Sequence, residues 1–464
     1  MFICSLPQQN LIGSGSMRTG STERLRGVFT SRALASIFLS TSAFLWYSYA
    51  IVLLQENISH LSIDYLTNML VWSAHFGALI LSAILGASLT KRSVDRTRFL
   101  GIWILVGTLA SLTPLVLSTS EPLGTTALGI ILGISLGFGM PNCMGYFTQV
   151  TPIENRGRIG GLMFVLSGLS IVVLDMTGIS GVVSLTAALV VLRGISLLAI
   201  PFATSPSQTE PARKPLSYRS LVVQKSFILY LVPWIMFSLL NYLTTPVQEN
   251  ILDNPIVFAN MQLLQNVFIA IFALVGGVFM DKVGRKRLAI IGFVLQGLSF
   301  SFVGLINSPS IPYFQTVWYF HSILNGVSWG VLCVLFVTTI WGDLSHEMAS
   351  DKFYALGVSP FFISKMLQVV INAEIVTAID VTTIFSFSAL FLFLAVLPLV
   401  YAPETLPEKI MKDRELNTYI EKAQKIAAEI QKEKEEEKVE EAEIEFGVPP
   451  EEAEDAEKLA EKYY

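Results

Sequence analysis

Read for its apolar runs, the chain is a series of long hydrophobic stretches separated by short polar connections. Crossing about 30 Å of hydrocarbon takes about 20 apolar residues in a helix. Twelve stretches reach that length, at about 33–54, 67–90, 99–118, 123–147, 159–178 and 181–203, then 226–245, 255–280, 288–306, 312–340, 355–378 and 382–402. The stretch at 312–340 is long enough to tilt or to continue beyond the bilayer. The pattern predicts an all-α integral membrane protein with twelve transmembrane helices.

The connections differ in charge from one side to the other. The even-numbered ones carry Lys91, Arg92, Arg96 and Arg98, then Arg156 and Arg158, then Arg213, Lys214 and Arg219, then Lys282 to Arg287, then Lys352. The odd-numbered ones carry Glu56, Asp64, Glu121, Glu249, Asp253 and Asp380, with no Lys or Arg. By the positive-inside rule both termini are cytoplasmic, and the even span count follows from charge independently of hydropathy. The longest internal connection, 204–225, is rich in Ser, Pro and basic residues and separates six spans from six. The organisation expected is an N-terminal arm (1–30), a six-helix half (31–203), a central cytoplasmic loop (204–225), a second six-helix half (226–403) and a tail (404–464). No signal peptide is expected ahead of the first span, because Phe2 and Ile3 leave no basic leader region. The location expected is the cell membrane.

Composition agrees with this picture. Apolar residues are 52 % of the 464 and charged residues only 14 %, against about 25 % charged in a soluble chain. The net charge of −5 conceals a division: residues 404–464 hold 20 acidic and 10 basic side chains, leaving 16 acidic and 21 basic in the first 403. The body is basic and sparsely charged, and the tail is acidic, with the Glu/Lys/Ala content of a solvated cytoplasmic helix. It lacks a sustained apolar heptad, so it reads as a charged tail, or alternatively as a docking segment for a cytoplasmic partner. Three cysteines make no disulfide framework.

The most particular motif follows the eighth span: Gly277-Val-Phe-Met-Asp281-Lys282-Val-Gly284-Arg285-Lys286-Arg287. Gly284 suits a tight turn. Asp281 can cap or pair at a neighbouring helix end, and the basic residues can clasp acids on adjacent loops. With twelve spans, the six-plus-six split and both termini inside, this motif resembles that of the major facilitator superfamily of secondary transporters, over residues 30 to 403. The resemblance implies that fold, with the motif acting as a cytoplasmic latch. In that family the motif also recurs between spans two and three, where this chain keeps Gly86 and Lys91 but has Thr90 for the acid and Ser93 for the turn glycine. Pro152-x-x-x-Arg156-Gly157 and Pro403-Glu404-Thr405 resemble pieces of the sugar-porter branch, which adds Arg156 to the latch. The fourth span has Gly133 where many proton-coupled members have arginine.

Polar residues within the spans are the candidates for a binding site, since ionisable groups at depth are costly and commonly functional. Lys365 lies about 15 Å into its span. Lys365, Gln368 and Asn372 share a helix face, as do Gln262, Gln265 and Asn266 on span eight and His321, Asn325 and Ser328 on span ten. All lie near one height, the level at which secondary transporters bind. Interhelical hydrogen bonding is the competing role for each. Trp46 and Tyr47 on span one add rings that can stack on a solute or simply pack. Arg193 reads as structural, and Asp175 as a coupling or outer-gate group.

The function expected is secondary active transport of a small polar solute, sugar-like or an organic anion, by alternating access, with a proton or sodium as possible coupling ion. A membrane sensor or scaffold acting through the tail is the alternative. Neither a His-Glu metal helix nor a serine nucleophile motif is present, so no enzyme, metal or cofactor is expected, and nothing points to nucleic acid.

Overall fold

The computed structural model describes residues 30–407 except 62, 90–95, 118–120, 204–216, 252–254, 306–313, 346–349, 370–377 and 379; beyond 407 it describes 412, 416, 419–420, 422–434 and isolated positions between 455 and 462. The chain divides into two compact units, Met1–Leu406 and Pro407–Tyr464. In the second, residues 422–434 are helical and exposed.

The first unit is built from long helices. In chain order they are α1 Ser31–Ser59, α2 Tyr65–Leu89, α3 Arg96–Leu115, α4 Pro122–Val150, α5 Arg156–Asp175, α6 Val182–Phe202, α7 Lys225–Ile251, α8 Pro255–Val283, α9 Arg285–Leu305, α10 Gln315–Ser345, α11 Ser350–Gln368 and α12 Val381–Tyr401. Eleven of them, all but α11, are long and apolar enough to cross a membrane among the described residues. The protein is thus an all-α, multi-pass membrane protein. Helix α11 occupies the place of the predicted eleventh span; it carries Asp351, Lys352 and Lys365, and the residues that would extend it from 370 onward lie outside those described.

The outward faces are what lipid requires. Leu66, Leu70, Leu81, Leu85 and Leu89 of α2 are exposed, and so are Phe387, Leu390, Phe391 and Phe393 on α12; in hydrocarbon such side chains need no cover. Two helices depart from regularity. Helix α4 turns at Phe138–Gly139 before resuming at Met140, with Pro141 in its new first turn. Helix α10 passes through a π-helical segment, Val334–Thr339.

Packing pairs recur in the same order along the chain. Helix α2 lies on α4, and α8 on α10; α3 packs with α6, and α9 with α12. Two further pairs join the first six helices to the last six: α5 with α8 and α2 with α11. At the α5–α8 crossing a Cβ added to Gly157 would stand 2.6 Å from the carbonyl oxygen of Gly277, and one added to Gly277 would overlap the carbonyl of Gly157. Glycine is what permits the two backbones to meet. Gly133 and Gly137 of α4 face the α2 backbone at His75 and Leu79 in the same manner.

Candidate functional site

Helices α1, α2, α4 and α5 on one side and α10 and α11 on the other line a partly open cavity of about 430 Å³. Its wall is made of apolar and aromatic side chains, among them Phe44, Ile51, Leu79, Met140, Phe361 and Phe362. Tyr47 belongs to it, with its ring edge-on to Phe362 at 6.0 Å. The Tyr47 hydroxyl lies 3.2 Å from Nε2 of His75, whose Nδ1 is 2.8 Å from the Gly129 carbonyl. A carbonyl oxygen only accepts, so Nδ1 carries the proton and Nε2 accepts from Tyr47. His75 is fully buried, and sequence reasoning misses it because one histidine in an apolar run carries no spacing signal.

Of the ten residues expected to contact solute, Tyr47 alone lines this cavity among the described residues. Trp46 is fully buried beside it and donates Nε1–H to Ser111 Oγ at 2.9 Å. Its indole and that of Trp103 flank Arg193, whose guanidinium carbon stands 5.2 and 3.9 Å from the two rings, a cation–π cradle in keeping with a structural role. His321 and Asn325 turn toward α9 and α7. Ser299 Oγ meets His321 Nδ1 at 2.7 Å, Gln248 lies 3.4 Å from its Nε2, and Gln296 Nε2 donates to both Asn325 Oδ1 (2.9 Å) and Asn241 Oδ1 (2.8 Å). Trp329 Nε1 also donates to Asn241, at 3.0 Å. These hydrogen bonds tie α7, α9 and α10 together, with Gln296 Oε1 left without a partner among the described residues. Gln262 and Asn266 are exposed on α8 and Gln265 is half-buried. Among the described residues, the structure therefore does not bring members of the three polar triplets to one cavity, because sharing a face of one helix does not fix the direction in which that face points.

Lys365 and Gln368 do come together: Nζ donates to Oε1 at 2.7 Å. The ammonium sits 5.2 Å from the centre of the Tyr242 ring, which packs edge-on against Phe361. Lys365 thus lies one helical turn beyond the cavity wall formed by Phe361 and Phe362. Glu249, near the end of α7, acts on it electrostatically, a partner from outside its own span. Asn372 and the side chain of Asp175 lie outside the described residues.

The motif at Gly277–Arg287 forms a charged cluster at the end of the bundle that bears the basic connections. Gly284 adopts φ of 109°, a conformation that favours glycine, and so turns α8 into α9. The Asp281 carboxylate accepts the backbone N–H groups of Gly157 and Arg158, each at 2.9 Å, at the N-terminus of α5. There the unpaired amides and the helix dipole favour an anion. Asp281 also pairs with Arg285 (3.0 Å) and Arg158 (3.3 Å). Asp343, at the end of α10, joins Arg285 Nε (3.0 Å) to Arg156 Nη1. Glu404 accepts from the backbone N–H of Arg285 (2.8 Å) and Lys286 (3.1 Å), capping α9, and Lys286 Nζ donates to the Val400 carbonyl at 2.7 Å. Lys282 and Arg287 are exposed.

A second tie lies at the same end. Arg96 of α3 meets Asp351 of α11 at 2.8 Å. Gly86 packs against the Phe138 carbonyl, while Thr90 to Asp95 lie outside the described residues. Sequence reasoning misses Asp343 and Asp351 because both fall where spans end and loops are expected; the available signal is that each is an acid placed among basic connections.

Neither a protein-family profile nor a curated protein matches the chain. Solved structures do. The human organic anion transporter MFSD10 aligns with a TM-score of 0.59 at 13 % identity, over 80 % of this chain and all (100 %) of that one. The proton:xylose symporter XylE, of the major facilitator superfamily, aligns with a TM-score of 0.61 at 14 % identity, over 81 % of this chain and 97 % of its own. With the repeated packing pairs and the charged motif at one end of the bundle, these alignments establish that the chain shares the fold of these major facilitator superfamily transporters.

Proposed function

We propose that the chain is a secondary transporter that carries a small solute across the cell membrane by alternating access around the cavity between its two halves. In this reading residues 31–203 and 226–403 are six-helix halves, α11 is the eleventh of twelve crossings, and both termini are cytoplasmic. The observation that carries it is the placement of the ion pairs linking the halves. Arg96–Asp351, Arg156–Asp343 and Arg158–Asp281 all lie at the basic end, and the cavity lies beyond them. A set of links that closes one end of a cavity is the bistable element that alternating access requires. The solved transporters of this fold support the same reading. The latch role belongs to Asp281, Arg285, Asp343 and Arg156, with Gly277 and Gly284 permitting the backbone path.

The solute of the xylose symporter is a sugar and that of MFSD10 an organic anion, the two polar classes expected from sequence. For this chain the composition of the cavity wall gives neither class a partner, which bears on the solute and not on the transport mechanism. The test is counterflow in proteoliposomes holding the full-length protein. A trans-accelerated exchange of solute that is impaired by Asp281→Asn and Arg285→Ala supports the reading. Exchange no faster than in protein-free liposomes for every class of solute the protein binds would end it, and leave the sensor or scaffold alternative.

A further inference from the structure

The cavity wall bears on what the protein carries. We infer that the cavity takes an uncharged, predominantly apolar molecule with an aromatic or aliphatic body, and excludes sugars and carboxylates; the inference rests on the transporter reading above for its meaning as a substrate class. Among the described residues, no Asp, Glu, Lys, Arg or His lines the cavity. The few hydroxyls that do have their protons already committed, which leaves them only acceptor lone pairs. Ser48 Oγ donates to the Phe44 carbonyl (3.0 Å) and Ser359 Oγ to the Leu356 carbonyl (2.7 Å). Tyr47 donates to His75, and the Tyr354 hydroxyl is shared between Thr148 Oγ1 (2.9 Å) and the Thr338 carbonyl. A sugar's hydroxyls or a carboxylate would leave water for a wall with few free donors, which is unfavourable for any polar group.

What the wall offers instead is ring surface from both sides. Phe44, Tyr47 and Phe164 come from the first half, and Phe361 and Phe362 from α11. Such faces bind apolar bodies and stack on other rings. The cavity volume of about 430 Å³ suits a compact molecule, within the range of about 300–1,000 Å³ common to ligand sites. Lys365, one turn beyond Phe361, is held by Gln368 at 2.7 Å and lies 5.2 Å from the centre of the Tyr242 ring.

The experiment uses the purified full-length protein in one detergent with three probes: N-phenyl-1-naphthylamine (neutral and apolar), xylose (neutral and polar) and benzoate (an aromatic anion). The apolar probe should bind saturably above the micelle blank, with one site per chain. Its affinity should fall about tenfold or more in Ser48→Phe and in Ser359→Phe, each of which sets a ring into the cavity. Xylose and benzoate should neither displace it nor raise the melting temperature. A second readout needs no variant: Cys333 lines the cavity and Cys143 is buried away from it. The apolar probe should slow N-ethylmaleimide modification of Cys333, read by peptide mass spectrometry, and leave Cys143 unaffected.

Displacement of the probe by xylose or benzoate, protection of Cys333 by either of them, or probe binding and Cys333 labelling both indifferent to the cavity would overturn the assignment. Transport is scored separately. Cavity-specific probe binding without counterflow would remove the transporter reading and keep the cavity chemistry. Counterflow of a sugar or carboxylate would keep the transporter reading and remove the apolar assignment.

Discussion

Removal of the Asp343 carboxylate should open the basic end of the bundle. Asp343 is fully buried and accepts from Arg156 on one oxygen and from Arg285 on the other. Asp343→Asn keeps the shape and removes the charge, and it turns an amide N–H toward one of the two guanidiniums. Breaking a buried ion pair by neutralising one partner costs about 3–5 kcal/mol, because the other charge stays buried. Arg285 retains Asp281 at 3.0 Å and the carbonyls of Met280 and Ile153, so its share of the loss is small. Arg156 retains the carbonyls of Thr148 and Thr151 and the Thr151 hydroxyl, without a carboxylate. The lower end of the range, about 3 kcal/mol, is therefore expected. If the halves separate at this end Arg156 regains water, so the penalty falls on the closed arrangement alone and shifts the closed–open equilibrium by about a hundredfold.

The reporters are the backbone amides of Gly157 and Arg158, which the closed arrangement holds on Asp281. Their hydrogen exchange, measured by mass spectrometry in detergent, should quicken by about a hundredfold in Asp343→Asn. Amides in the α9–α10 polar network around Gln296 should keep their rates. Arg156→Gln should produce a similar change, and the double variant should add little, since both remove one link. Unchanged exchange at Gly157 and Arg158 in Asp343→Asn would refute the reasoning, as would a uniform increase along the whole chain.

Three further outcomes follow from particular contacts. Gly277→Val puts side-chain atoms against the Gly157 carbonyl at the α5–α8 crossing, so it should destabilise by about 1–3 kcal/mol through overpacking, read as a lower melting temperature; a matching Val at Gly168, which has open space around it, should not. Lys365→Gln should leave the affinity for a neutral apolar probe unchanged, because Lys365 is not in the cavity wall; loss of that binding would place the ammonium in the site. Asp380 caps α12, accepting from the Thr383 hydroxyl (2.6 Å) and the Thr383 N–H (2.8 Å), and these bonds hold its carboxyl below the ordinary range. A depressed folded pKa stabilises above the unfolded value and is lost as pH falls through the folded one. Wild type should therefore melt above Asp380→Ala at neutral pH, and the two should converge in acid; a gap that persists in acid would assign the cap no electrostatic part.

The long helices are legible because a lipid-crossing segment needs a length of apolar residues that little else produces, and the basic-end cluster because its motif fixes Asp281 and Arg285 one helical turn apart around Gly284. Other features leave no comparable trace. The π segment of α10 lies within a long apolar run, and the turn in α4 is marked only by Gly139 and Pro141, which a count of span lengths passes over. Gln296 stands alone in its span, yet it is the hydrogen-bond partner of Asn325 and binds Asn241 as well. The cavity itself is lined by Phe, Leu, Ile and Met, and in a membrane chain such residues face lipid, neighbour or ligand alike. Polarity is a guide to candidates for binding, and at His321 and Asn325 it marks contacts between helices.

Alternating access is tested most directly by distances measured at both ends of the same molecule. One spin-labelled pair would sit across the basic end, at Arg98 and Lys352, and another across the opposite end, at Asp64 and Asp380. Pulsed electron resonance on the full-length protein in nanodiscs, with and without N-phenyl-1-naphthylamine, should show two populations at each end. They should be anticorrelated, the basic end lengthening as the opposite end shortens, and Asp343→Asn should raise the share open at the basic end. A single distance at each end, unmoved by the probe and by Asp343→Asn, would contradict the account.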